Sequence, residues 1–283
     1  MSSKMSSSGG TISAISKEAV TALQWVSHQN NSGVLLYNQG KFAEAVVLFK
    51  KATTISKTFL NRRPFEEGGS KTNFKVFVTL QILPSHTTRS NEIDFFMDPS
   101  VYSNPFAVVV TSVDMGKASF DPQMMQRQVL TDDVDRLLFS RLSTILIFNL
   151  ALCNHARAHS SAEDDATMRR NFHQKAQELY ILAYSIPKGE QEQEIIDEVL
   201  MPLFVQAIFN NLGQCYASLD DTNNSAACFE LLLRSIILFR SDRSGACNLG
   251  EYGDNDTNSR HAPCFLGNVL FLILKNPGFA PAA

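Results

Sequence analysis

The sequence predicts a mainly α-helical protein of about three helix hairpins, with a β-hairpin-containing insertion after the first hairpin. Two observations carry this prediction. Three segments repeat the same order of small and aromatic residues at helical spacing. Between the first two of them the chain alternates apolar and polar residues, which is typical of strands. The 283 residues, 44% of them hydrophobic, also provide enough chain for a sizeable core.

Each repeat combines a small residue on its first helix with a small residue and an aromatic residue on its second. Twelve residues separate Gly33 from Ala45, and twelve separate Gly213 from Ser225. In every repeat the aromatic residue follows four positions later, which places it on the same helix face. The residues predicted to pack the helices together are Gly33, Ala45, Phe49, Ala151, Ala176, Tyr180, Gly213 and Phe229.

This pattern resembles the tetratricopeptide repeat (TPR) family, in which L-G-x-x-Y on one helix is followed by A-x-x-x-F on the next. The resemblance implies a TPR-like α-solenoid, in which small residues let the paired helices approach closely. The TPR-like hairpins are expected at 20–59, 132–187 and 188–241. The overall layout is also similar to TPR-like proteins of diatoms, a similarity that implies no particular activity.

The segments outside the hairpins are assigned from their composition. Residues 1–19 are rich in Ser and Gly and predict a disordered tail. The insertion, 60–131, contains two candidate strands, one alternating from Phe74 to Ile82 and one β-branched from Phe106 to Val113. Pro202 either kinks the first helix of the third hairpin or starts a new helix. A polar loop, a C-terminal capping helix and a tail are expected at 242–261, 262–276 and 277–283.

Charge and composition argue against several classes of function. A formal net charge of −3 does not suit a nucleic-acid binder or a polybasic membrane-surface protein. The most apolar stretch, Ile145 to Cys153, is too short to span a bilayer. Five cysteines without a C-x-x-C pair are typical of a reducing compartment. We therefore expect a cytoplasmic or other reducing intracellular location, without a membrane or nucleic-acid partner.

Three asparagines occupy the same repeat position, two residues before the small residue of each first helix. They are Asn31, Asn149 and Asn211. The TPR resemblance implies that this position faces a concave groove, where an asparagine ladder can hold the backbone of a bound peptide. A carboxamide suits that role because it donates and accepts hydrogen bonds at once. The alternative is that these asparagines only bridge neighbouring helices. Further groove candidates are Asn30, Tyr37, Phe148, Leu152 and Gln214.

Metal and redox chemistry are weaker hypotheses. His155 and His159 stand four residues apart and could share a metal ion, with Asp164 or His173 as a possible third ligand, but solvated histidines at a helix end are the simpler interpretation. Cys153 and Cys215 occupy equivalent repeat positions and are interpreted as packing residues rather than a redox pair. The sequence contains no nucleophile elbow or Gly-rich phosphate loop. No metal, no cofactor and no catalytic residue is predicted.

The predicted function is a non-enzymatic protein–protein interaction module that binds an extended peptide or a partner helix in its concave groove. The alternative is a structural or self-associating subunit whose groove is filled by its own insertion. A groove that leaves the three asparagines open would favour the first function. A groove plugged by Phe95, Phe96 or Phe106 would favour the second.

Overall fold

The computed structural model describes most of the helical repeats and the central sheet. The described residues are 13–15, 17–61, 76–84, 101–114, 134–160, 165–186, 200–244 and 265. Within them, six helices and three strands have defined bounds, and the helices dominate. In chain order these elements are β1 (Ser13–Ile15), α1 (Lys17–Asn38), α2 (Phe42–Leu60), β2 (Val76–Pro84), β3 (Phe106–Asp114), α3 (Val134–Ser160), α4 (Ala166–Ser185), α5 (Leu200–Ser218) and α6 (Thr222–Ser244).

The six helices form three hairpins in which each helix packs against the next one in the chain. Helices α2 and α3 are neighbours although residues 61–133 separate them in sequence. At this contact the Phe59 and Phe139 rings stack with centroids 4.5 Å apart. The buried Ser56 hydroxyl also donates to the Phe139 carbonyl at 3.0 Å. The long stretch of sequence between the first two hairpins therefore does not separate α2 from α3.

Small residues permit close packing inside the first and third hairpins. A Cβ atom added to Gly33 would lie 2.7 Å from a ring carbon of Phe49, and one added to Gly213 would lie 2.8 Å from a ring carbon of Phe229. These distances are shorter than real Cβ contacts. In the second hairpin the corresponding contact involves residues that are all fully buried, namely Ala151, Ala176 and Tyr180.

The first and third hairpins turn in the same way. The turn residues Gly40 and Asp220 have positive φ angles, of 75° and 67°. They occupy equivalent repeat positions, because each follows the glycine of its first helix, Gly33 or Gly213, by the same number of residues. In each turn the N–H of the next residue, Lys41 or Asp221, donates to the carbonyl five residues before it, at 2.9 Å. Because the left-handed conformation disfavours a Cβ atom, the turn of the first hairpin is made with Gly and that of the third carries some strain.

The start of α4 follows from local chemistry. The Asp165 carboxylate accepts the N–H of Met168 at 2.8 Å and caps α4. In α5, Pro202 is the third residue of the described helix. Residues 187–199 lie outside the described part of the chain, so both possibilities that the sequence raised for Pro202 stay predictions.

The strands form one antiparallel sheet with the order β1–β2–β3. In the β2–β3 pair, Val76 lies opposite Asp114 and Pro84 lies opposite Phe106. The expectation of a disordered tail over 1–19 differs from the structure at Ser13–Ile15, because the backbone of these residues pairs with β2. A three-residue strand within a Ser- and Gly-rich segment is too short to show a periodic pattern.

Several expected boundaries shift by a few residues. Helix α1 already begins at Lys17, inside the expected tail, and α6 continues to Ser244, inside the expected polar loop. Of the expected capping helix, the structure describes Phe265, which is helical and buried. The rest of 262–276, the 277–283 tail and most of the polar loop lie outside the described residues. None of the described helices is long and apolar enough to cross a membrane.

The substitution Ala45→Leu tests the close packing of the first hairpin. Ala45 is fully buried, so we expect the larger side chain to lower the free energy of unfolding by about 1–3 kcal/mol. The matched control is Ala43→Leu, on the exposed face of the same helix. Chemical denaturation of the two variants measures the difference, and equal stabilities would contradict the repeat alignment.

The paired substitutions Asp220→Gly and Asp220→Ala test the left-handed turn. Both remove the carboxylate and its exposed ion pair with Arg170, so the comparison isolates the backbone. A Cβ atom costs about 1–2 kcal/mol in this conformation, partly offset by the greater freedom of Gly in the unfolded chain. We expect the Gly variant to be about 0.5–1 kcal/mol more stable by thermal unfolding. An Ala variant of equal or higher stability would argue against a positive φ at this residue.

Candidate functional site

The three repeat-equivalent asparagines lie on the first helices of the three hairpins and contact one shared segment. Asn31 belongs to α1, Asn149 to α3 and Asn211 to α5. All three carboxamides form hydrogen bonds with the backbone of residues 101–108, which enter β3. We call the surface that carries these asparagines the asparagine face, and residues 101–108 the bound segment.

Two of the carboxamides each hold one residue of the bound segment through both of its main-chain groups. The Asn149 Oδ1 accepts the N–H of Phe106 at 2.9 Å, and its Nδ2 donates to the Phe106 carbonyl at 2.8 Å. The Asn211 Oδ1 accepts the N–H of Tyr102 at 2.8 Å, and its Nδ2 donates to the Tyr102 carbonyl at 2.9 Å. Both asparagines are fully buried.

The third carboxamide repeats this geometry at the far end of the bound segment. The Asn31 Oδ1 accepts the N–H of Val108 at 2.9 Å, and its Nδ2 donates to the Val108 carbonyl at 2.7 Å. The Ser27 hydroxyl donates to the same carbonyl at 2.6 Å. Sequence reasoning missed Ser27, although it lies one helical turn before Asn31 and hence on the same face of α1.

Asn30 connects two of the carboxamides to each other. Its Nδ2 donates to the Phe106 carbonyl at 3.0 Å and to the Asn31 Oδ1 at 3.2 Å. Its Oδ1 accepts from the Asn149 Nδ2 at 2.9 Å. This bridge joins α1 to α3 and orients both carboxamides towards the bound segment.

A similar support acts on Asn211 in the third hairpin. The Asn210 Nδ2 donates to the Asn211 Oδ1 at 3.1 Å, and the Asn211 Nδ2 also donates to the Tyr180 hydroxyl at 3.1 Å. Burial holds the pKa of the Tyr180 phenol well above its usual value, so this hydroxyl stays protonated. Paired asparagines therefore occur at the beginning and at the end of the asparagine face.

The carboxamides occupy the place of a neighbouring strand. In an antiparallel sheet, alternate residues direct their N–H and C=O groups to the same side. Phe106 and Val108 are two residues apart, and both direct these groups to the asparagine face, away from β2. Side chains of the helices thus satisfy the edge of β3 that β2 leaves unpaired.

The side chains of the bound segment form part of the hydrophobic core. Tyr102, Phe106 and Val108 are almost completely buried. The Phe106 ring lies with its centroid 5.2 Å from that of Phe148 and 5.4 Å from that of Phe204. The bound segment is therefore held by its main chain on one side and by aromatic packing on the other.

The remaining groove candidates have different locations. Phe148 and Leu152 are fully buried, and Phe148 packs beneath the bound segment. Tyr37 is also buried, but its ring packs on Phe42 within the first hairpin, with centroids 5.2 Å apart. Gln214 is half-buried on α5. Phe148 thus contributes its ring to the contact with the bound segment.

The cysteines of the repeats are buried. Cys153 and Cys215 are free thiols that are fully shielded from solvent, and burial raises the pKa of both. Burial also raises the pKa of the Cys228 thiol to about 12. Thiols that stay protonated at neutral pH are poor nucleophiles, which argues against a redox pair of Cys153 and Cys215.

The three histidines that the sequence analysis named as possible metal ligands lie next to one another in the structure. The rings of His155 and His159 stack with centroids 5.2 Å apart, and the His173 ring lies 5.4 Å from each of them. Cys215 lies against His155, a contact that the sequence analysis did not predict.

Comparison with known proteins identifies the repeats. The tetratricopeptide-repeat family model matches residues 29–59 and 207–235, which cover parts of the first and third hairpins. Together with the six packed helices, these matches make the chain a TPR-like helical repeat protein. TPR repeats generally mediate protein–protein interaction. No curated protein and no solved structure matched the chain.

The substitution Asn149→Ala tests the central carboxamide. It removes the acceptor of the Phe106 N–H and the donor to the Asn30 Oδ1, and each buried polar group left unpaired costs about 1–3 kcal/mol. We expect the free energy of unfolding to fall by about 2–4 kcal/mol. The matched control is Asn223→Ala, which changes an exposed asparagine of α6 and should alter stability little. Similar denaturation midpoints for the two variants would contradict a stabilising role of the Asn149 hydrogen bonds.

Proposed function

We propose that the protein is a non-enzymatic interaction subunit whose asparagine face is filled by its own bound segment, and which meets partner proteins through other surfaces. The observation that carries this proposal is the set of three two-way hydrogen-bonded pairs between carboxamides and main chain. Among the two functions that the sequence raised, this geometry favours the subunit with a filled groove. Phe106 is one of the residues named for that case, whereas Phe95 and Phe96 lie outside the described residues.

The chemistry of the asparagine face supports this interpretation. A foreign peptide would need the same donors and acceptors that Tyr102, Phe106 and Val108 already use. The bound segment is part of the same chain, so its effective concentration at the face is high and a free peptide competes poorly. A competing peptide would also have to replace buried aromatic contacts of Phe106.

The second helices of the hairpins offer a surface for protein partners. Large apolar side chains are exposed there, on α2 (Val47), on α4 (Ile181 and Leu182) and on α6 (Leu231). Exposed apolar residues of this size are common in protein–protein contacts. Partner binding through the second helices would leave the bound segment in place, and it agrees with the general role of TPR repeats.

Residue-resolved amide hydrogen exchange by NMR tests the filled face. In the wild-type protein we expect slow exchange at Tyr102, Phe106 and Val108. Asn211→Ala should accelerate exchange at Tyr102 more than at Val108, and Asn31→Ala should do the reverse, so each variant controls for the other. The expected local change is roughly fivefold or more for a hydrogen bond worth about 1 kcal/mol.

A peptide titration supplies the opposing test. A synthetic peptide with the sequence of residues 100–114 should not bind the wild-type protein in calorimetry. Stoichiometric binding of this peptide, with fast exchange at all three amides, would overturn the proposal. That result would restore the open, peptide-binding groove as the better hypothesis.

A further inference from the structure

A second group of polar side chains lies buried where α3, α4 and α5 meet. His155 comes from α3, His173 from α4 and Cys215 from α5. One possible ligand atom from each residue lies within 4.8 Å of the other two. The Cys215 Sγ is 3.7 Å from the His155 Nδ1 and 3.9 Å from its Nε2. All three side chains are more than nine-tenths buried.

Hydrogen bonding does not explain why these groups are buried together. The His173 Nδ1 is shielded from solvent and has no hydrogen-bond partner among the described residues. The contact between His155 and Cys215 involves a thiol, which is a weak donor and a weak acceptor. Buried polar atoms normally have good partners, so an unpartnered imidazole nitrogen requires another explanation.

We propose that His155, His173 and Cys215 form a binding site for a zinc-like divalent metal ion that connects the second and third hairpins. The inference goes beyond the interaction function proposed above. Two imidazoles and one thiolate are a ligand set typical of Zn²⁺, and a water molecule can occupy the fourth position. On binding, the Cys215 sulfur forms a bond with the metal and its proton passes to solvent, without any change in oxidation state.

The distances in the cluster agree with such a site. Tetrahedral zinc has Zn–N distances of about 2.0–2.1 Å and Zn–S distances of about 2.3 Å, which place ligand atoms about 3.3–3.6 Å apart. The Cys215 Sγ and His155 Nδ1 are already at 3.7 Å. Metal binding requires the most distant ligand atoms, which are at most 4.8 Å apart, to approach by about 1 Å. It also requires the His155 ring to turn, because the Cys215 Sγ lies at nearly equal distances from its two nitrogens.

Metal binding at this site would also fix the position of Asn211 on the asparagine face. The His155 ring packs edge-on against Tyr180, with centroids 6.1 Å apart, and the Tyr180 hydroxyl accepts from Asn211. Cys215 lies one helical turn after Asn211 on α5. A metal that fixes α3, α4 and α5 would therefore fix the carboxamide that holds Tyr102.

Metal titration of the full-length, chelator-treated protein tests the proposal. We expect one equivalent of Co²⁺ to bind with a tetrahedral spectrum and a thiolate-to-cobalt charge-transfer band. Zn²⁺ should displace the Co²⁺ and raise the melting temperature. His173→Gln and Cys215→Ser should each weaken zinc affinity by at least the roughly tenfold to hundredfold that loss of an outer-shell partner costs.

Two matched variants control for unspecific effects. His28→Gln changes an exposed histidine of α1, and Cys228→Ser changes a buried thiol of α6. Both should retain the cobalt spectrum and the zinc-induced rise in melting temperature. If the ligand variants lose their helical circular dichroism signal, the cobalt spectrum of the wild-type protein tests the proposal by itself. A wild-type protein without the thiolate-to-cobalt band, or folded ligand variants with undiminished zinc affinity, would overturn the proposal.

Discussion

The pairing of three asparagine carboxamides with the main chain of residues 102, 106 and 108 is the interaction on which the rest of the structure depends. It places an extended segment among helices, where N–H and C=O groups would otherwise lack partners. Each buried group left unpaired would cost about 1–3 kcal/mol, so the segment can be buried only because the carboxamides replace a neighbouring strand. The aromatic side chains of the segment then contribute to the core instead of facing solvent.

The same interaction compensates for the separation of the repeats. In a tandem helical repeat protein, neighbouring units bury each other's apolar faces directly. Here residues 61–133 interrupt the chain between the first two hairpins, yet α2 and α3 still pack against each other. The bound segment is hydrogen-bonded by asparagines of α1, α3 and α5, so a single extended stretch joins all three hairpins.

Local patterns in the sequence predicted the helices and the two long strands because periodicity acts over a few residues. Repeat equivalence also placed Asn31, Asn149 and Asn211 on one face. What covers that face could not be predicted in the same way. The residues that pair with these asparagines lie 77, 43 and 109 positions away, and Tyr102 belongs to no periodic pattern. The contact of Cys215 with His155, 60 positions away, was beyond local patterns for the same reason.

The path of the chain through the stack has a consequence for how the protein folds. Solenoids of tandem repeats fold from local contacts, and their units can form one after another. Here the asparagine face is complete only after a segment far away in sequence has arrived, which requires closing long loops before their contacts can repay the entropy. Folding should therefore be slower than in a tandem array. It should also be more nearly all-or-none, because all three hairpins depend on the same extended segment, which belongs to the insertion and to none of the hairpins.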